Sequence, residues 1–244
     1  MSIKNNSPQL ALPIALDDKA SFDNFLVTEH AELIAALRAS ILNYQVDESD
    51  SVRSEHKVIY FYGASGSGKS HLMFAIQRLA KQFSQASYYL SLADERVSIE
   101  WLNSIDGAAI VCVDDLQTWA GDDAKERELF ALFERVKNNH GRLLVSATQP
   151  PDFCNFSLKD LVSRLGSGLV YPLNALNNTQ QFVAVQLRAK QRGLSISDES
   201  VKYLLNRSSR DNNVLFALLD KIDKASLVEK RRITIPFLQS LLGS

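Results

Sequence analysis

Cysteine and histidine are scarce in this sequence, and no apolar run is long enough to cross a membrane. Two cysteines, Cys112 and Cys154, and four histidines occur in 244 residues, without the spacing of a zinc site or a redox pair. The longest uninterrupted apolar stretch, residues 10–16, contains Pro13 and is followed at once by two aspartates. We therefore expect a reduced, cytoplasmic protein with neither a zinc site nor a membrane segment.

Neither charge sign is in excess over the whole chain. Lys and Arg number 27 and Asp and Glu 28, which gives a formal charge of −1. A protein whose main task is to neutralise nucleic-acid phosphates is much more basic, so any contact with DNA should be local or indirect. The distribution is uneven, because residues 176–244 hold 11 basic and 6 acidic residues and residues 1–175 hold 16 and 22. This shift predicts two units of different character.

Short apolar runs separated by helical patterns occupy the middle of the chain. Strands that helices cover on both faces are continuously apolar, so these runs predict a parallel α/β sheet. The runs are residues 58–62, 88–92, 110–113, 143–147 and 169–171. The helices predicted before and between them are residues 29–42, 69–83 and 124–139.

Helical patterns alone follow Pro172. They cover residues 179–192, 198–207, 212–228 and 235–242. The first residues of the chain have neither a helical nor a strand period, and a polar stretch at 46–56 predicts a loop. The sequence thus predicts an extended tail at 1–20, an α/β domain at 21–175 and a small all-helical domain at 176–244.

A glycine-rich motif, GASGSGKS, stands between the first predicted strand and the helix that follows it. It has the G-x-x-x-x-G-K-[ST] pattern of a P-loop, in which backbone N–H groups and a helix N-terminus surround phosphates. In this pattern Lys69 neutralises the β- and γ-phosphates, and the Ser70 hydroxyl ligates Mg²⁺. The predicted nucleotide-binding residues are Gly63, Ala64, Ser65, Gly66, Ser67, Gly68, Lys69, Ser70 and His71.

Two carboxylates end the third predicted strand, IVCVDD. A P-loop site needs a carboxylate from a neighbouring strand, and Asp114 fits this role as a metal ligand, directly or through water. Asp115 is then the candidate that orients or deprotonates an attacking water. Alternatively, both carboxylates simply cap the strand. At the end of the fourth run, Ser146 or Thr148 could bond a γ-phosphate or the water, and capping explains them equally well.

Several segments together resemble the AAA+ module of bacterial replication initiators of the DnaA type. They are GASGSGKSHL, IVCVDDLQ, LLVSATQPP, DLVSRLGSG and the C-terminal helical region. The resemblance covers residues 21–244, including the entry segment SFDNF, and is closer still to Hda-type regulators. Those regulators end after the helical lid, whereas a DnaA-type initiator continues with a helix-turn-helix domain. The resemblance implies a P-loop AAA+ parallel sheet flanked by helices and followed by a small all-α lid domain.

The resemblance also implies a role for an arginine in the segment 160–166. In the family this arginine reaches the nucleotide of a neighbouring subunit, and here it is Arg164. The resemblance further implies that the chain is a negative regulator of replication initiation, which promotes hydrolysis of the ATP bound to a DnaA-type initiator. Arg164 joins Asp115 and Thr148 as a catalytic candidate. The alternative is a surface arginine in an intramolecular ion pair, and self-association is left open.

The predicted tail carries the peptide QLALPI, which is similar to the one through which Hda-type regulators bind the replicative sliding clamp. Its large apolar side chains are spaced two apart and its proline favours an extended backbone, which suits a hydrophobic groove on a partner. DNA contact is then indirect, through the clamp. A strand packed on its own domain, or an inert tail, is the alternative. The candidate clamp-binding residues are Gln9, Leu10, Leu12, Pro13 and Ile14.

Two residues depart from the family pattern. Asn213 occupies the place of a nucleotide-sensing arginine of the lid, and an amide does not replace a cation at a phosphate. Arg210, one turn earlier, either compensates or lies on the surface. Asp115 stands where many AAA+ hydrolases have glutamate. We therefore expect bound ADP or ATP with Mg²⁺, weak or no hydrolysis by this chain itself, and a preference for ADP.

Other functions fit parts of the pattern. A helicase-loader ATPase shares the P-loop and the arginine segment, but it has no use for a clamp peptide. A scaffold would carry a nucleotide site without activity. A small-molecule kinase would use lid arginines, of which the sequence offers Arg188, Arg192, Arg207 and Arg210.

Overall fold

The computed structural model describes residues 20–26, 29–42, 57–107, 109–207, 212–229 and 233–242. The predicted clamp peptide at 9–14, the predicted loop at 46–56 and Arg210 lie outside these residues. Among the helices that the structure describes, none combines the length and apolarity needed to span a membrane.

In the described part of the chain, five parallel strands form one sheet. They are β1 (Val58–Tyr62), β2 (Ser87–Ser91), β3 (Ile110–Asp114), β4 (Arg142–Ala147) and β5 (Leu169–Pro172). Their order across the sheet is β2-β3-β4-β1-β5. The predicted parallel sheet is confirmed. β4 lies between the strand that precedes the P-loop and the strand that ends in the two carboxylates.

Helices cover both faces of this sheet. They are α1 (Ala31–Leu42), α2 (Lys69–Gln82), α3 (Ile99–Asn103), α4 (Asp123–Asn138) and α5 (Lys159–Gly166). α1 and α2 pack on one face, and α3, α4 and α5 pack on the other. Because neighbouring strand residues point to opposite faces, Ile59 and Phe61 contact the first layer and Tyr60 the second. Burial on both faces explains why the strands are continuously apolar.

Helices also make up the C-terminal region, as expected for a lid domain. They are α6 (Asn178–Gln191), α7 (Asp198–Arg207), α8 (Asn212–Glu229) and α9 (Ile235–Leu242). Val185, Val201 and Leu219 form one buried cluster between them, and Ile222 and Leu238 belong to a second. The prediction of a small all-helical unit after the sheet is confirmed.

Most predicted elements agree with the observed ones within two residues. β1, α7 and α9 have the predicted bounds, and α1 begins at Ala31 rather than at residue 29. The sequence does not predict α3 or α5, because five and eight residues are too few for a helical period to be recognised. The omission of α5 is the important one, since this helix carries Arg164.

Candidate functional site

The P-loop motif forms the tight turn from β1 into α2. Gly66 and Gly68 have φ angles of 77° and 102°, a region that residues other than glycine rarely adopt. A Cβ atom at Gly63 would collide with the carbonyl oxygen of Leu173. The tight turn therefore leads directly into the N-terminus of α2. Backbone N–H groups at such a helix N-terminus can bind an anion.

Lys69 and Ser67 add polar groups inside this turn. The Lys69 ammonium donates to the carbonyl oxygens of Gly63 and Ala64 at 2.7 and 3.0 Å, and burial lowers its pKa. The Ser67 hydroxyl is buried and has no hydrogen-bond partner among the described residues. Leaving a buried donor unpaired costs about 1–3 kcal/mol, and an anionic oxygen would satisfy it. The turn therefore fits a phosphate group.

Asp114, at the end of β3, is fully buried and accepts three hydrogen bonds. The Ser146 hydroxyl and the Asp115 backbone N–H donate to its Oδ1, and the Tyr89 hydroxyl donates to its Oδ2 at 3.0 Å. Burial and the Asp114 carboxylate raise the pKa of Tyr89, which keeps this phenol a donor. Since both oxygens of Asp114 are engaged, the arrangement fits a Mg²⁺ contact through water. Ser70, exposed in the first turn of α2, is the direct ligand candidate.

Asp115 and Thr148 lie at the same edge of the sheet as the P-loop. Burial and the neighbouring Asp114 raise the pKa of Asp115, which increases its affinity for a proton, as a general base requires. The Ser91 hydroxyl donates to Asp115 Oδ2 at 3.2 Å. The sequence offers the hydroxyls of Ser146 and Thr148 as alternative contacts of the γ-phosphate or the water. The Ser146 hydroxyl donates to Asp114, whereas the side chain of Thr148, directly after β4, is exposed.

Amide side chains at the start of α8 hold the lid against the P-loop. Asn213 donates to Ser65 Oγ at 3.1 Å. The buried Asn212 donates to the carbonyl oxygen of Gly66 at 2.9 Å and accepts from Gln181 of α6 at 2.7 Å. The residue in the place of the lid arginine thus contacts the loop itself. The sequence does not predict the contact between Asn212 and Gln181, because two buried amides far apart in the chain form neither a hydrophobic period nor a recognisable motif.

His71 links three elements beside the P-loop. Its Nε2 lies 3.0 Å from the carbonyl oxygen of Ser21, and its Nδ1 lies 2.9 Å from Nη2 of Arg188. Because a carbonyl only accepts and a guanidinium only donates, the two contacts fit a ring that carries its proton on Nε2 and accepts at Nδ1. Arg188 also stacks on Phe216 at 3.7 Å from the ring centroid.

A cavity of about 30 Å³ lies between the entry segment, the P-loop and the lid, and its lining includes His71, Arg188, Phe216 and Phe25. This volume is about that of one water molecule. Its position beside the P-loop makes the cavity the candidate for the part of a nucleotide beyond its phosphates, although at this volume it is too small for a base.

Arg164 lies in the last turn of α5, on the surface of the sheet domain. Its Nε is 3.0 Å from Oε1 of Glu134 on α4, and the two side chains are 41% and 31% exposed. An ion pair between partly exposed side chains contributes about 0–1 kcal/mol to stability. The structure thus contains the intramolecular ion pair of the alternative interpretation, and it also leaves Arg164 accessible to a partner.

Comparison with known families matches two segments of the chain. Residues 16–172 match the bacterial DnaA ATPase domain, and residues 178–242 match the lid domain of Hda. The two matches therefore meet near the boundary that the sequence predicts between the sheet and the helical unit.

Solved structures with a similar fold include DnaA and RuvB proteins. AMPPCP-bound DnaA from Aquifex aeolicus is 21% identical, with a TM-score of 0.67 over 88% of this chain and 68% of that chain. Domain III of DnaA from Thermotoga maritima is 17% identical, with a TM-score of 0.70 over 93% and 96%. The RuvB branch migration motor from Thermotoga maritima is 17% identical, with a TM-score of 0.62 over 91% and 71%. The AAA+ fold is confirmed.

Asn212→Ala should destabilise the chain more than Asn213→Ala. The first change removes the hydrogen bonds of Asn212 with the Gly66 carbonyl and the Gln181 amide, a loss of about 1–3 kcal/mol. The hydrogen bond of Asn213 with Ser65 is exposed, so water can replace it and the second change should have the smaller effect. Urea denaturation followed by circular dichroism measures both. An equal or larger effect at Asn213 contradicts the assignment of Asn212 as the main contact between lid and loop.

Proposed function

Because the chain belongs to the bacterial DnaA ATPase-domain family and carries an Hda-type lid, we propose that it is a negative regulator of chromosomal replication initiation. In this proposal it stimulates hydrolysis of the ATP bound to a DnaA-type initiator while it is attached to the sliding clamp on DNA. The observation that carries the proposal is Arg164, a surface arginine in one exposed ion pair that another molecule can reach.

We propose that the chain's own site binds an adenine nucleotide with Mg²⁺. Support comes from the P-loop, where Lys69, the buried Ser67 hydroxyl and the N-terminus of α2 converge. A DnaA protein of similar fold is bound to AMPPCP. Ser70 would ligate the metal and Asp114 would hold it through water. The ion, when bound, offsets the negative charge of the phosphates.

We further propose weak or no turnover in this site and a preference for ADP. Asn213 stands in the place of the lid arginine, and its amide donates to Ser65 Oγ. A neutral amide gives less stabilisation than a cation to the charge on a γ-phosphate. The raised pKa of Asp115 suits a general base. A base alone, however, does not offset the negative charge that develops on the transferring phosphoryl group.

Equilibrium titration should therefore show tighter binding of ADP than of ATP. Asn213→Arg should raise the affinity for ATP relative to ADP by roughly tenfold, because a hydrogen bond to a charged group contributes about 1.5–3 kcal/mol. Asn213→Ala removes the amide without adding a charge, and it should leave the ratio of the two affinities unchanged. A clear preference of the unmodified chain for ATP contradicts the proposal.

Arg164 would act on the nucleotide held by the initiator. A guanidinium supplied by a neighbouring molecule neutralises charge on the γ-phosphoryl during its transfer, an effect of about 10³–10⁵ in rate in other nucleotidases. The planar group presents its donors in a fixed fork that matches phosphate oxygens. Its position on α5 and its partly exposed ion pair with Glu134 support this role.

Arg164→Ala should abolish the stimulation of ATP hydrolysis by a DnaA-type initiator, since alanine supplies no positive charge. Single-turnover hydrolysis of initiator-bound ATP measures the effect. Arg96→Ala is the matched control, because Arg96 is also a surface arginine in an exposed ion pair, with Asp94, and it should keep full stimulation. Full stimulation by Arg164→Ala removes the proposed role of this residue.

We propose that the peptide at residues 9–14 attaches the chain to the sliding clamp. Its apolar side chains at alternate positions and its proline suit an extended segment in a hydrophobic groove. Attachment to a clamp that encircles DNA would place the regulator near the initiator without a basic DNA-binding surface of its own. The near-neutral charge of the chain is compatible with this indirect route.

The combined change Gln9→Ala and Leu10→Ala should prevent capture of the chain by DNA-loaded sliding clamp, because it removes the first anchors of the peptide. Asn5→Ala with Asn6→Ala, in the predicted tail but before the peptide, is the control and should be captured normally. Arg164→Ala should also be captured normally, which separates clamp binding from stimulation. Normal capture of the Gln9 and Leu10 variant in a pull-down assay excludes this peptide as the attachment site.

A further inference from the structure

Glu126, in the first turn of α4, is fully buried, and its carboxylate fixes the point where α5 begins. Oε1 accepts from the backbone N–H groups of Gly121 and Ser157 at 2.7 and 3.1 Å, and Oε2 accepts from that of Leu158 at 2.7 Å. A buried carboxylate is unfavourable unless hydrogen bonds compensate it, and these three donors do so. Ser157 and Leu158 directly precede α5, so α4 determines where that helix starts.

Glu134 contacts the other end of α5. It lies eight residues after Glu126, about 12 Å further along α4 and within the same broad face of the helix. Its Oε1 is 3.0 Å from Nε of Arg164, in the last turn of α5. Between the two glutamates, Leu129 of α4 and Leu161 of α5 belong to one buried apolar cluster. α4 therefore holds α5 at its entry, along its length and at its last turn.

The contact between Glu134 and Arg164 leaves part of the guanidinium available. Nε is the nitrogen nearest to the aliphatic stem, so a carboxylate at Nε occupies one side of the planar group. The end formed by the two terminal nitrogens then points away from that carboxylate. A phosphate can therefore meet the two terminal nitrogens while Glu134 stays beside Nε.

We propose that Glu126 and Glu134 are positioning residues that aim Arg164 at the nucleotide of a neighbouring AAA+ molecule, an inference that rests on the proposed function. Glu126 sets the start of the helix that carries the arginine. Glu134 restricts the rotamers of a long, flexible side chain, which reduces the entropy that Arg164 loses when it meets the phosphates. Neither glutamate touches the reacting atoms.

Glu134→Gln tests the inference without disturbing the core, because Glu134 is partly exposed. The variant should lower the maximal rate of ATP hydrolysis by the initiator about three- to fivefold, consistent with the loss of one exposed ion pair. The concentration of this chain that gives half of the maximal rate should not change. In a chain that already carries Arg164→Ala, the change should have no further effect, because a positioning residue acts only through the arginine.

Glu128→Gln is the matched control for this measurement. Glu128 lies two residues after Glu126, which places it on the opposite side of α4, so the same loss of charge should leave the rate unchanged.

Relaxation of the ¹⁵Nε–H group of Arg164 measures the positioning in the full chain without a partner. Glu134→Gln should lower its order parameter, and Glu128→Gln should not. Glu126→Gln replaces one acceptor oxygen by a donor, so it should speed hydrogen exchange at the Ser157 or Leu158 amide.

The outcomes separate the inference from the proposed function. A wild-type chain that does not stimulate the initiator overturns the proposed function, and the order parameter of Arg164 then decides whether Glu134 positions the arginine. If the wild type stimulates and Arg164→Ala does not, an unchanged or higher rate with Glu134→Gln overturns the inference alone. An unchanged order parameter in Glu134→Gln also overturns it.

Discussion

Parallel pairing of β3, β4 and β1 is the constraint on which the candidate site depends. Parallel strands end at a common edge, so the P-loop after β1 meets Asp114 at the end of β3. β4 lies between them, and Val145 pairs with Val113, which brings Ser146 beside Asp114 to donate its hydrogen bond. A slip of one residue in this register would turn Ser146 to the other face of the sheet and leave Asp114 Oδ1 without that donor.

The polar contacts divide into two sets with different roles. At the P-loop, the start of the lid is held by neutral amides, with Asn212 on the Gly66 carbonyl and Asn213 on the Ser65 hydroxyl. These contacts are made with the loop itself, so they do not depend on a γ-phosphate. The arginine that we propose acts on a transferring phosphoryl group lies elsewhere, on α5, where Glu134 of α4 pairs with it and Glu126 binds the backbone before that helix.

The sequence predicts those parts of the molecule that local pattern determines. The strands are apolar throughout because both faces are buried, and the P-loop is recognised because glycine is required at positions 63 and 68. The contacts of Asp114 with Ser146 and of Asn212 with Gly66 join residues 32 and 146 positions apart, and no local signal indicates them. α5 escapes prediction because it is short, and the role of Glu126 depends on a loop that meets it only in the folded chain.

Cryo-electron microscopy of this chain in complex with a DnaA-type initiator, on DNA-loaded clamp with AMPPCP, tests the central claim most directly. The account predicts that the Arg164 guanidinium lies within hydrogen-bond distance of the γ-phosphate of the AMPPCP bound to the initiator, beside an α4 that still holds the start of α5. A complex in which Arg164 remains on Glu134, with the initiator's γ-phosphate out of its reach, contradicts the account.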